Sequence, residues 1–482
     1  MKRTITLLFL IVWPTLVEGQ QELTKPPHSV AIRNVTVIDM RSAKPKADET
    51  VIIANGRITA IAKKPRIPRD AEIIDGRGKY LVPGLWDSYT YTLEAVKNHH
   101  PYFELLIAHG VTGVRDVGNS YDLAAAAKLR SQINAGSVLG PRLFYAGNVL
   151  ISDMPPRRSD RWTGISRVVT SVEEAKQAVA ELARSGVDHI KTEKRTRPDI
   201  LRAIIEEAHK LKLPVVGVPP SFLIDASNDG LDCIEHFAEI NRETSDKREE
   251  YYALYRDRKI DTLTTDQNYA FFGTMTRDRP YYERSLKTLS KNKTCAVTNA
   301  ASTATFSGDF EMADKSRLRF KTESQRAKVV AAIAERERQI RNNDYRMSPE
   351  NRKRALQDIL DIQRAGVMLL AGTQLNQGEI GTPGLMLHDE LSILVQAGLS
   401  PFEALQTATI NPARFMRREK DLGTIEVGKL GDLVLLDANP LADISNTRKI
   451  NAVIVGGRVL NRNDLDKILA GVEADAMSAK GK

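Results

Sequence analysis

The sequence predicts an α/β protein, a (β/α)8 TIM barrel with a small β-sandwich composed of both chain ends. Three observations predict it. Eight short apolar runs alternate with amphipathic helical patterns through residues 83–420. Strand-like segments with turn residues occupy residues 29–82 and recur at 421–462. The 482 residues are 42% hydrophobic and 27% charged, which excludes a disordered chain and suits one large domain with an appendage.

In chain order, Lys2 and Arg3 precede an apolar run over 5–17, followed by Glu18-Gly19-Gln20. A short basic start, about a dozen apolar residues and a small residue at the cut match a secretory signal peptide, residues 1–19. Pro14 and the short run argue against a spanning anchor, so the expected location is secreted or periplasmic, with no stable membrane insertion after cleavage. Next, Asn55-Gly56 marks a hairpin turn between the strands 50–53 and 58–61. The barrel runs are 82–86, 111–114, 142–145, 187–190, 214–218, 231–234, 294–297 and 367–370. Between them, 172–184, 198–211 and 326–341 carry apolar residues at helical spacing, with Ser171 as N-cap and Gly186 as stop for the first. Residues 241–290 are less regular and rich in Arg, Asp and Tyr, and are expected to form an insertion over one barrel face. Residues 463–482 are expected to be a frayed polar tail.

Lys and Arg exceed Asp and Glu by 70 − 61 = 9, but no basic block with interleaved aromatics occurs. The charge lies on amphipathic segments such as 334–354, which indicates solvated faces and no nucleic-acid partner. Cys233 and Cys295 are the only cysteines. They are expected to be two buried thiols, with one bridge the alternative in an oxidising compartment.

Several motifs carry a resemblance. Tyr80-Leu-Val-Pro-Gly-Leu-Trp-Asp87, Gly110-Val-Thr-Gly-Val-Arg-Asp116, Ile234-Glu-His236, Asn411-Pro-Ala-Arg414 and the 423–434 segment stand in the right order across 29–462. The chain resembles the amidohydrolase superfamily, in its imidazolonepropionase-like and Xaa-Pro dipeptidase-like branch. The resemblance implies a metal-dependent hydrolase of C–N bonds, including dipeptide bonds. Two divalent metals would activate a water, and an aspartate would move the proton. It also implies where ligands stand: an HxH pair after strand 1, a carboxylated lysine after strand 4, histidines after strands 5 and 6, and an aspartate after strand 8.

At four of these six positions the sequence departs from the pattern: Tyr89 and Tyr91 replace the HxH pair, Val218 the strand-5 histidine, and Gln374 the catalytic aspartate. Lys191 and His236 match, as a remnant metal site or as hydrogen-bonded pocket residues. Two neutral phenols, a valine and an amide cannot neutralise two divalent cations, and a phenol binds metal well only as phenolate. No cofactor is expected; zinc is expected only if the site is assembled from other residues. His189, on the same strand face as Lys191, reads as a satisfied core histidine. His99-His100 reads as surface, and His388 as either structural or pocket-facing.

Three functions follow as alternatives. The first is an inactive ligand- or partner-binding pseudoenzyme taking a small molecule or peptide. The second is a metal-free enzyme using Lys191 to form a Schiff base, with a tyrosine as proton donor. The third is an active metallohydrolase of cyclic amides or dipeptides with an atypical site. A homo-oligomer is compatible with each.

Overall fold

The computed structural model describes residues 29–97, 101–153, 164–219, 222–263, 267, 271, 275–303, 315–341, 348–375 and 381–479. The expected signal peptide and His99-His100 lie outside the described residues, as do 342–347 of the Arg-rich stretch.

Both chain ends build one sheet. Its strands are β1 (Ser29–Val37), β2 (Lys46–Ala54), β3 (Arg57–Ala62), β4 (Glu72–Asp75) and β5 (Tyr80–Pro83), with β16 (Leu433–Leu436), β17 (Ile450–Val455) and β18 (Arg458–Asn461) from the far end. The order is β18-β17-β16-β5-β1-β2-β3, with β4 also on β1. The two ends meet where β16 runs antiparallel to β5, Leu433 opposite Pro83 and Leu436 opposite Tyr80. Alternation explains why β16 is apolar throughout. Leu433 and Leu435 pack with Val30, Ile32, Val51 and Ile53 in the sheet's own core, while Val434 and Leu436 join the larger core shared with the barrel. The Asn55-Gly56 hairpin forms as expected, both residues having positive φ of 50° and 72°.

The expected run 82–86 is two strands. β5 ends at Pro83 in the sheet, and β6 (Leu85–Thr90) starts the barrel. Gly84 makes the crossing because a Cβ there would stand 1.9 Å from Thr112 Oγ1. The other barrel strands are β7 (Val111–Asp116), β8 (Arg142–Tyr145), β11 (Ile190–Thr192), β12 (Val215–Gly217), β13 (Cys233–Ile234), β14 (Cys295–Val297) and β15 (Leu369–Leu370). All neighbouring ladders among them are parallel. The Asp188 amide donates to the Tyr145 carbonyl at 2.8 Å, joining the third strand to the fourth. The Ser88 amide donates to the Ala371 carbonyl at 2.8 Å, closing the eighth on the first. A side pair, β9 (Val149–Ile151) and β10 (Ser166–Val168), flanks β11. The barrel is filled by Trp86, Val216, Cys233, Cys295, Val297 and Leu370.

Three expectations are corrected here. Residues 462–478 form a helix, Arg462–Ser478, rather than a frayed tail. Asn461 and Asp464 make a reciprocal capping box, and Leu465, Val472 and Ala476 are buried, with Val472 against Leu105 and Phe320. The insertion is narrower than 241–290, because Arg279–Asn292 is the ordinary crossover helix between β13 and β14. Cys233 and Cys295 form a disulfide. They stand opposite each other on parallel neighbours β13 and β14, which places their Cα atoms 4.4 Å apart, within bridging reach.

Candidate site at the mouth of the barrel

Side chains along a barrel strand alternate inward and outward, so Arg115, His189, Lys191, Glu193, Cys233 and Glu235 share the interior. At its centre Lys191 and Glu235 are both 0% exposed. Lys191 Nζ lies 2.7 Å from Glu193 Oε1 and pairs on its other side with Glu235 Oε2. Arg115 Nη1 reaches Glu235 Oε1 at 3.0 Å, while its Nε donates to the Ser88 carbonyl at 2.6 Å. Glu235 therefore bridges two buried cations. Burial alone would lower the Lys191 pKa, but Glu193 and Glu235 outweigh it and hold the ammonium well above the usual lysine range. Burial would raise Glu235, but Lys191 and Arg115 bring it below an ordinary glutamate.

Above this cluster lie the phenols. Tyr89 Oη is 3.3 Å from Tyr91 Oη and 3.4 Å from His236 Nε2. The Tyr89 and His236 rings are tilted at 49° with centroids 5.2 Å apart, and Lys191 Nζ stands 5.8 Å from the Tyr89 ring centre. Burial, then Tyr91 and Glu235, push the Tyr89 phenol well above its usual range. Burial also lowers the His236 pKa. His236 has φ of 66° and Gln374 of 55°, left-handed values uncommon for such residues, both at strand ends that turn sharply into the mouth. The Gln374 amide donates to the Tyr89 carbonyl at 2.8 Å, and its Oε1 accepts from Ser302 Oγ at 3.1 Å. Val218, 4% exposed, closes β12 with no polar atom to offer. The structure thus brings Tyr89, Tyr91, Lys191 and His236 together, with Gln374 fixed on the Tyr89 backbone. Among the described residues, no group of three or more His, Cys, Asp or Glu is placed to hold a metal ion.

Sequence reasoning missed Arg115, Glu193 and Glu235. The signal was present in the period of two: Glu235 is two residues beyond inward Cys233, and Glu193 two beyond Lys191. His189 does face the interior, but it is not a satisfied core residue. Neither ring nitrogen has a partner, and the ring stacks on Phe144 at 4° and 5.5 Å. Burial, then the positive charges of Arg115 and Lys191, keep it neutral. His388 is structural. It is buried, with Nδ1 2.9 Å from Thr447 Oγ1 and Nε2 3.0 Å from the His109 carbonyl.

A second charged cluster lies just outside the barrel. Lys194 Nζ is 2.5 Å from Glu239, 3.2 Å from Glu243 and 2.6 Å from Tyr251 Oη, and 4.3 Å from the Tyr251 ring centre. These partners belong to the helices Phe237–Glu243 and Arg248–Arg256, so this cluster fastens the insertion to the end of β11.

Comparison with known proteins decides the family. The amidohydrolase family profile matches residues 102–460. The chain belongs to the amidohydrolase family. An imidazolonepropionase of Geobacillus sp. (strain WCH70) is 44% identical over 73 residues, covering 15% of this chain and 17% of that enzyme. The chain therefore matches about a sixth of that relative's length. Among solved structures, bottromycin amidohydrolase superposes with TM-score 0.72 at 20% identity, covering 93% of this chain and 91% of the other. A Xaa-Pro dipeptidase with bound methionine in its active site gives 0.62 at 20% identity, covering 90% of this chain and 100% of the other. At these identities the likeness is one of fold, and it matches the barrel with its composite sheet. No helix among the described residues is long and apolar enough to cross a membrane.

Proposed function

We propose that this chain is an exported amidohydrolase-family protein that binds a small molecule or peptide at the barrel mouth and does not hydrolyse it. The observation carrying this reading is the state of Lys191. Its ammonium lies between Glu193 and Glu235, and Glu235 also holds Arg115.

This donor set does not fit the metals that the family implies. A bridging carboxylated lysine needs a neutral amine to take up carbon dioxide and two cations to hold the product. Here the amine is a paired ammonium, and Arg115 adds a second fixed positive charge beside it. Two phenols, an amide and a valine fill the remaining positions, and Gln374 has no basic oxygen with which to take a proton. The same ion pairs oppose the Schiff-base alternative, since a nucleophilic lysine must be an amine and its activation requires a lowered pKa. What remains at the mouth is a set of neutral hydrogen-bonding groups beside aromatic faces: Tyr89, Tyr91, His236, Gln374 and Ser302. Such a set recognises polar ligands.

Export is supported by the basic–apolar start of the chain and by the Cys233–Cys295 bridge, a bond that persists in oxidising compartments. The test is a panel of cyclic amides, N-acyl amino acids and dipeptides, assayed with added zinc, manganese or cobalt and also screened for thermal stabilisation. The expected result is stabilisation by at least one compound, weakened in Gln374→Ala, with no turnover under any metal. Metal-dependent turnover would overturn the reading.

A further inference from the structure

The four charged groups of the central cluster differ in how far solvent reaches them. The side chains of Lys191 and Glu235 are 0% exposed, and that of Arg115 is 2% exposed. Glu193 is the exception, at 17%. It stands one step past β11, where its carbonyl accepts the Thr196 amide at 2.8 Å. Thr196 Oγ1 in turn donates to the Leu150 carbonyl at 3.0 Å, so the turn that carries Glu193 is anchored. Glu193 Oε1 accepts from Lys191 Nζ at 2.7 Å, and among the described residues Oε2 accepts no hydrogen bond.

The cluster therefore hides its ammonium and turns a carboxylate outward. Two rings adjoin that carboxylate, those of His236 and Tyr89, with centroids 5.2 Å apart. Burial lowers the His236 pKa, and Glu193 is the strongest charge opposing it. The other cations on these loops are already paired, Lys194 with Glu239 and Glu243, Arg195 with Asp153, and Arg242 with Glu239. An anion entering the mouth meets Glu193, while the ammonium that could answer it has no exposed surface. A neutral donor can use Oε2, and an ammonium gains a charge-assisted bond there.

We propose that Glu193 sets the specificity of the mouth, which takes a ligand carrying a free ammonium group, such as the amino terminus of a short peptide, seated on Glu193 Oε2 beside His236. Carboxylates and N-acylated forms of the same ligand bind more weakly. This inference rests on the mouth being a binding site, the reading proposed above.

Calorimetry on the full chain tests it with matched probes built on alanine, proline and phenylalanine. Each amino acid is supplied as its amide, as the N-acetyl amide and as the N-acetyl acid, hence as cation, neutral molecule and anion. At pH 6, below an α-amino pKa of about 8, the best free amine should bind about tenfold tighter than its neutral partner. The anion should bind most weakly. At pH 9 the amine and the neutral probe should converge. Glu193→Gln leaves Lys191 paired with Glu235 and should bring the amine down to the neutral probe, whose own affinity holds. Equal binding of amine and neutral probe at pH 6, tightest binding by an anion, or an amine preference that survives Glu193→Gln would overturn the inference and leave the mouth a binding site. The pH comparison on the parent chain decides the matter even where the variant does not fold. Binding by none of the set would overturn the binding reading itself, and this inference with it.

Discussion

Two buried lysines three residues apart, Lys191 and Lys194, each sit between two glutamates, yet they do different work. Lys191 is at the barrel centre, and its partners Glu193 and Glu235 come from strand ends that the barrel itself fixes. Lys194 is one step outside, and its partners Glu239 and Glu243 come from a helix after β13, with Tyr251 from the next. The first stands where the sequence resemblance leads one to expect a metal ligand, and its charge is met by carboxylate side chains. The second is a fastener for an insertion. One residue type in nearly one place can thus close a site or attach an element, and its partners decide which.

The comparison can be broken at Glu235 first. Glu235→Gln leaves Lys191 and Arg115 without their shared anion in a fully buried position. A loss of about 4 kcal/mol is expected, read as a global fall in denaturant midpoint. Adding Lys191→Met should return part of it, because the unpaired charge goes with the lysine. A single variant as stable as the parent would mean that the central pair is not there.

Breaking the Cys233–Cys295 bridge acts on the same strands through the unfolded chain. With the cysteines 62 positions apart in sequence, replacing both by alanine should cost up to about 4 kcal/mol. Reductant should lower the Tm of the parent and leave that of the double variant unchanged.

Lys194→Met should cost less, about 3 kcal/mol, since Glu239 keeps Arg242 as partner. The damage should be local: faster amide exchange over Arg248–Arg256, with the barrel strands protected as before. Equal loosening of the barrel would erase the distinction between the two lysines.

The smallest effect concerns pH. Burial raises Asp87 to about 6, and Asp116 and Glu390 to about 7, against hydrogen bonds that partly oppose it. A carboxyl raised on folding binds more protons in the native state than in the unfolded one. Stability is therefore complete below the ordinary carboxylate range and declines as pH rises through about 7. Tm should be higher at pH 5 than at pH 8, and Asp116→Asn should narrow the difference. A Tm rising over that interval would reverse the sign of the account.

The barrel was legible because apolar runs and amphipathic helices alternate with little interruption, and the composite sheet because its strands are short and turn-bounded. The C-terminal helix was less so, although Asn461 and Asp464 carried its cap. Its apolar residues are spaced widely among charges, and only the helix Tyr102–Ala108 and Phe320 give them something to bury against. The cysteine pairing was not legible, since it depends on β13 and β14 being neighbours in register. That Tyr89, Tyr91, Val218 and Gln374 stand where the resemblance expects ligands is a reading of motif spacing. What replaced their chemistry was not, because Arg115, Glu193 and Glu235 lie on three different strands and become a cluster only when the barrel closes.

The most direct test of the central claim is metal content per chain, measured by mass spectrometry on protein purified from the exported fraction without chelators. The account predicts essentially no zinc, manganese, cobalt or iron bound. Close to two divalent ions per chain would contradict it.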